Sequence, residues 1–245
     1  MRVEHAAVSL RGAREENQDR VATEVSGNAA LVAVFDGMGG HAQGERAAEI
    51  ARAVMTQRFW SSPHPLFDPL GFLHLELGRA HREVAAIGQD LPNEQRPRAT
   101  SAVCVVQEGV AWWAHMGDSR IYLLRDGAIL RRTRDHSHVE ILLQEGLITE
   151  AQAQIHPMRN FVECCIGGDP VLPEMQVSRL QRVQSGDVLL VCSDGFWSPL
   201  AEAEIAASMY SGVPLSTSLQ ALAEFAVRRA GAGSDNTSAA ALRVL

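Results

Sequence analysis

The chain has 245 residues, 46% of them hydrophobic and 21% charged, with a formal net charge of −7. Such a length buries roughly 70–75% of the unfolded surface and fits one large domain or two small ones, and the acidic balance argues against nucleic acid or an anionic membrane as the main partner. No apolar run approaches the ~20 residues of a membrane span, no signal-peptide core follows the first residues, and Cys104, Cys164, Cys165 and Cys192 form no C-x-x-C pair, which argues against zinc and dithiol chemistry and suits a reduced, cytoplasmic setting.

In chain order, residues 4–10 mix polar and apolar side chains as an edge strand does, and 11–19 form a charged loop. Residues 21–25 read as a second strand. Residues 31–35 are an uninterrupted apolar run, suited to a strand buried on both faces. That run leads into Asp36-Gly37-Met38-Gly39-Gly40-His41, a tight turn holding one acid and one imidazole. From residue 42 to 59 the chain is rich in Ala and Glu and predicts a helix; residues 69–87 repeat apolar side chains at helical spacing and predict another. The polar stretch 89–98, with two prolines, is the best candidate for a mobile loop. Strands are expected at 100–106, 110–115, 121–124 and 128–132, joined by turns at Glu108-Gly109, Gly117-Asp118 and Asp126-Gly127. Short helices follow at 139–144 and from 150, and one strand is expected in 170–183. Residues 188–192 are a second wholly apolar run, again ending on an acid, in Ser193-Asp194-Gly195. Amphipathic helices at 202–210 and 215–230, a glycine loop at 231–236 and a strand at 237–244 close the chain.

One feature recurs: an aspartate beside Gly or Asn, or at a turn edge, at Gln18-Asp19, Asp36-Gly37, Gly117-Asp118, Asp194-Gly195 and Asp235-Asn236. Each alone reads as a turn, but two of them end fully apolar strands. Carboxylates grouped at ~5 Å repel by a few kcal/mol per pair at an effective dielectric of ~20 and need cations to coexist. Oxygen ligands without His or Cys point to magnesium or manganese rather than zinc. A competing pattern, Gly37-Met38-Gly39-Gly40-His41-Ala42, fits the G-x-G-x-x-A of a dinucleotide site. That site also wants an acid about 20 residues later at the end of a second strand. Residues 56–60 supply neither, and Asp36 would repel a pyrophosphate.

The order R-x-x-N-Q-D (Arg14 to Asp19), D-G-M-G-G-H (Asp36 to His41), G-D-S-R (Gly117 to Arg120), D-H-S (Asp135 to Ser137), S-D-G (Ser193 to Gly195) and D-N (Asp235-Asn236) resembles bacterial members of the metal-dependent protein phosphatase 2C family, across nearly the whole chain. The resemblance implies an α+β fold in residues 1–245: a central sandwich of two antiparallel β-sheets flanked by helices, with a small flap at about 138–167. It implies two Mn²⁺ or Mg²⁺ ions, Asp36 bridging them, the Gly37 carbonyl on one, Asp194 and Asp235 on the other, and Asp19 nearby, binding directly or through water. Asp118 is implied on a third, weaker ion, with the hairpin turn as its plain structural alternative. Arg14 would grip the phosphate, a fit of guanidinium to paired oxygens. His41 would protonate the leaving alkoxide or simply cap the following helix. His136 reads as a brace for the flap, and Cys164-Cys165 departs from the pattern there.

The expected activity is hydrolysis of phosphoserine and phosphothreonine on proteins by a metal-activated water, without a phosphoenzyme, in a cytoplasmic monomer that opposes a bacterial Ser/Thr kinase. The alternative of another class is a catalytically silent phosphoprotein-binding module of the same fold.

Overall fold

The computed structural model describes residues 2–38 and 42–245. Along the chain come β1 (Val3–Leu10), β2 (Asp19–Ser26), β3 (Ala29–Met38), α1 (Ala42–Ser61), α2 (Pro69–Ile87), β4 (Arg98–Ala99), β5 (Ser101–Gln107), β6 (Val110–Met116), β7 (Arg120–Arg125), β8 (Ala128–Arg132), α3 (His138–Gln144), α4 (Glu150–Gln154), β9 (Ile166–Gly167), β10 (Gln176–Val177), β11 (Gln181–Arg182), β12 (Val188–Cys192), α5 (Asp194–Trp197), α6 (Glu202–Met209), α7 (Leu215–Ala230) and β13 (Thr237–Val244). One sheet runs β1-β13-β12-β7-β8. The other is centred on β3, which pairs with β2 and with β5; β6 follows β5 and carries β10 and β11, and the β4–β9 pair continues from the end of β3. The strand pairings are antiparallel, as at the long β1–β13 and β2–β3 ladders.

The apolar runs are continuous because each sheet is covered on both faces. In β3, Ala30, Val32 and Val34 point into the space between the sheets, where they meet Ala102 and Cys104 of β5 and Leu189, Val191, Ala240 and Leu242 of the facing sheet. The alternate residues Leu31, Ala33 and Phe35 point outward against α1 and α2. Likewise Val188, Leu190 and Cys192 of β12 face outward under α6 and α7. The period of two therefore sorts one apolar run into two cores. Ala47, Ala48 and Ala51 bring α1 close onto β3. Hairpins turn at Glu108-Gly109 and Asp126-Gly127 with all four residues at positive φ, the type I′ geometry that suits twisted strands.

Three local readings change. Asp36-Gly37-Met38 is the end of β3, not a turn: Gly37 and Met38 pair with Ala99 and Arg98. Residues 170–183 hold two two-residue strands on the edge of β6 rather than one strand. A helical turn, α5, begins at Asp194, where only a turn was expected. The flap at 138–167 contains α3 and α4 and is tied at its base by a Ser137–Val162 bridge and by the bonds His138 N–H to Phe161 O (3.1 Å) and Glu163 N–H to His136 O (2.8 Å).

Candidate metal centre

Five aspartates meet at one end of the sandwich because strand ends and strand connections fall there. Asp36 ends β3 and stands opposite Asp19, the first residue of β2. Asp118 lies in the β6–β7 turn, Asp194 follows β12, and Asp235 precedes β13. Asp36, Gly37, Asp118, Asp194 and Asp235 line one cavity of about 470 Å³, with Arg14 at its wall. Asp19 lies behind this lining, 2% exposed.

Hydrogen bonds hold the turns in place. The Asn236 side-chain carbonyl accepts from Gln18 N–H (2.9 Å), and its amide donates to Arg11 O and Glu16 O (2.8 and 2.9 Å), so one residue ties the Arg14 loop to Asp235. Thr100 holds Asp36 from both sides of the peptide, its N–H donating to Asp36 O (2.8 Å) and its hydroxyl accepting from Asp36 N–H (3.2 Å); that hydroxyl also meets Ser119 Oγ (2.7 Å). Ser193 Oγ donates to Asp19 Oδ2 (2.8 Å). The backbone is packed tightly enough that a Cβ on Gly37 would lie 2.2 Å from Gly44 O, and one on Gly195 would lie 2.1 Å from Asn236 O. Only glycine permits this approach.

The electrostatics are strained. Burial, then the charges of Asp19, Asp194, Asp118 and Asp235, hold the Asp36 carboxyl well above the usual carboxylate range. Burial pushes Asp19 up to about 7, reinforced by Asp194 and Asp235 and opposed by the hydroxyls of Ser238 and Ser193. Asp194 rises to about 6, from burial and then Asp235. Asp118 is raised by burial, Asp194 and Asp135. The charge of Asp194 is among those that raise Asp36, since carboxylates this close disfavour one another's ionised forms. Asp19 Oδ1 is buried with no hydrogen-bond partner. A cation answers both problems, so the donor set fits hard divalent ions. Among the described residues no three His, Cys, Asp or Glu converge to hold one ion by side chains alone. Backbone carbonyls and water would complete each shell, as Mg²⁺ prefers.

A scan against protein families matches residues 9–231 to the protein phosphatase 2C model. The chain belongs to the protein phosphatase 2C family. It is 32% identical to the serine/threonine protein phosphatase PstP of Mycobacterium tuberculosis over 96% of its own length, and spans about half, 43%, of that relative. It is also 32% identical to the protein phosphatase PhpP of Streptococcus pneumoniae, covering 93% of this chain and 91% of that one. The solved PstP catalytic domain in complex with two manganese ions superposes with a TM-score of 0.84 at 29% identity, over 99% of this chain and 98% of that one.

Within this phosphatase 2C domain, Arg14 does not point away from the acids: its Nη2 donates to Asp235 Oδ2 at 2.6 Å, and Asp235 raises its pKa further. His41 lies outside the described residues. His136 occupies the flap base, its N–H donating to Gly117 O (2.8 Å). The four cysteines are free thiols.

Sequence reasoning missed a clamp beneath the flap. Arg120 makes a bidentate pair with Asp135 (both 2.8 Å) and lies 3.3 Å from the centroid of the Trp197 ring, whose Nε1–H donates to Asp118 O (3.0 Å). The motifs G-D-S-R and D-H-S contain three of these four residues, but the Arg120–Asp135 pairing spans 15 positions and the Trp197 bond 79, so no local pattern announces them.

Proposed function

We propose that this chain is a Mn²⁺- or Mg²⁺-dependent phosphatase acting on phosphoserine and phosphothreonine in proteins. The observation that carries the reading is the set of five aspartates whose carboxyls cannot all ionise side by side, with one oxygen, Asp19 Oδ1, buried and unpartnered. Asp36, the Gly37 carbonyl, Asp194 and Asp235 would hold two ions between them, with Asp19 acting directly or through water. Asp118, with Asp194, would hold a third and weaker ion. When bound, the ions lower the pKa of water at the site and neutralise the carboxylates.

The chain's own residues do the rest. Arg14, on the cavity wall, offers a planar fork to two phosphate oxygens. Its partner Asp235 keeps the guanidinium at the lip until an anion replaces the carboxylate. His41 donates the proton that lets the serine or threonine oxygen leave. The silent binding module loses ground because every one of these acids is present. Residues 1–245 work as one catalytic unit with the flap at 138–167 beside the site. The protein works in the cytoplasm as a monomer and opposes a Ser/Thr kinase. Its unpaired thiols support the reduced setting. The test is hydrolysis of a phosphothreonine peptide with and without chelator. Turnover that vanishes with chelator and returns with Mn²⁺ is expected; turnover indifferent to chelator contradicts the reading.

A further inference from the structure

A second cavity, of about 1200 Å³, opens between the flap and the core. It shares Asp118, Asn160 and Asp194 with the catalytic cavity, so the two adjoin. Its flap wall sets an aliphatic stripe among polar side chains such as Glu140, Gln144, Glu150 and Arg159. Val139 and Leu143 lie four residues apart on α3, one above the other on one face, and Ile148 continues that wall toward α4. Leu200 and Trp197 line the core side.

These flap side chains have no interior of their own. None of Val139, Leu143 or Ile148 belongs to any of the three core clusters, and α3 buries no residue at all. An apolar helix face left half-exposed costs stability unless something covers it. Two charges on the walls are already spent within the protein: Asp135 is held by Arg120 and Glu202 by Arg132. Beside the remaining charges of Arg134, Glu140, Glu150 and Arg159, the flap offers a visitor one apolar surface, the Val139–Leu143–Ile148 stripe.

We propose that this cavity receives the substrate chain beside the phosphoresidue and selects an aliphatic side chain there. The inference rests on the phosphatase reading and names a substrate class for it. The shared border identifies the occupant, since a chain with its phosphate among the aspartates lies beside Asn160 and Asp118, which also line the second cavity.

The experiment walks one leucine through positions −4 to +4 of an otherwise Gly/Ser phosphothreonine peptide, using the Mn²⁺-loaded protein. One position, on one side only, is expected to raise kcat/KM on the order of tenfold, the scale of an aliphatic group in an apolar pocket, and to act through KM. Leu143→Gln should erase that preference while leaving p-nitrophenyl phosphate turnover unchanged; Val139→Thr, nearly the same shape, serves if Leu143→Gln folds poorly. A flat leucine scan overturns the proposal, as does an equal loss on peptide and p-nitrophenyl phosphate. So does a dimer in sedimentation that Leu143→Gln disperses, because a second copy would then cover the face. If no phosphothreonine peptide is hydrolysed, the phosphatase reading falls separately. Fluorescence anisotropy of the labelled leucine peptides on wild type and Leu143→Gln still decides the subsite: preferential binding lost in the variant supports it, and equal binding sinks it.

Discussion

The carboxylate end of the sandwich and the flap beside it are built on opposite principles. Each acid of the first is delivered by a strand or a strand connection and held by named bonds: Asp36 by Thr100, Asp19 by Ser193, and the Asp235 loop by the three hydrogen bonds of Asn236. The flap is tied at its base and at the Arg120–Asp135–Trp197 clamp, and its helix α3 buries nothing. Rigid placement suits groups that must hold cations against mutual repulsion. A thinly packed element suits adjustment to many protein partners, because local stability follows buried apolar contact.

Asp36→Asn strikes the rigid region at its centre and should have the largest effect. It keeps the shape, removes the charge proposed to hold both ions, and is expected to lower turnover at least ~100-fold, the scale of one preorganised electrostatic group. The fold should survive. Since burial and four neighbouring acids already resist ionisation of Asp36, the metal-free variant should melt above metal-free wild type at neutral pH. Kinetics at equal Mn²⁺ and a thermal melt check both. Retention of a tenth of wild-type turnover would break the contrast between the two regions.

Arg14→Ala should come next. Loss of a charge-assisted bond to phosphate is worth ~1.5–3 kcal/mol in kcat/KM. Because Arg14 sits on Asp235, its removal leaves the cluster more negative, so Mn²⁺ affinity should hold or tighten. A collapse of metal affinity in a calorimetric titration would show that Arg14 belongs to the cation site instead.

Asp118→Ala probes the seam between the regions and should have the smallest effect: a few-fold loss on phosphopeptides and loss of the late rise of activity with Mn²⁺. Activity untouched by the change would return Asp118 to a turn residue, and a crystal at high Mn²⁺ would show whether a third ion persists.

The same contrast governs what the amino-acid sequence revealed. The runs 31–35 and 188–192 announced doubly covered strands, and the spans 215–230 and 237–244 coincide with α7 and β13, because hydrophobic period is a local signal. The Asp-Gly and Asp-Asn pairs at strand ends marked the acids for the same reason. Features made by distant pairing stayed hidden. Gly37 and Met38 are strand only because Ala99 and Arg98 arrive beside them. Residues 170–183 break into two fragments because only the edge of β6 is open to them. The clamp of Arg120 with Asp135 and Trp197 is assembled across the fold, and the aliphatic wall of α3 looks like any helix stripe until the cavity behind it is seen.

The decisive measurement is calorimetric titration of the metal-free protein with Mn²⁺, at about pH 6.5 and about pH 8.5, in buffers of different ionisation enthalpy. Metal ligands must shed protons. With Asp19 and Asp194 raised to about 7 and about 6, two ions should bind tightly with protons released at the lower pH and fewer at the higher, and Asp36→Asn should abolish the tight phase. Tight binding without proton release at the lower pH, or unchanged binding by Asp36→Asn, would contradict a cation pair held by Asp36 and its neighbouring carboxylates.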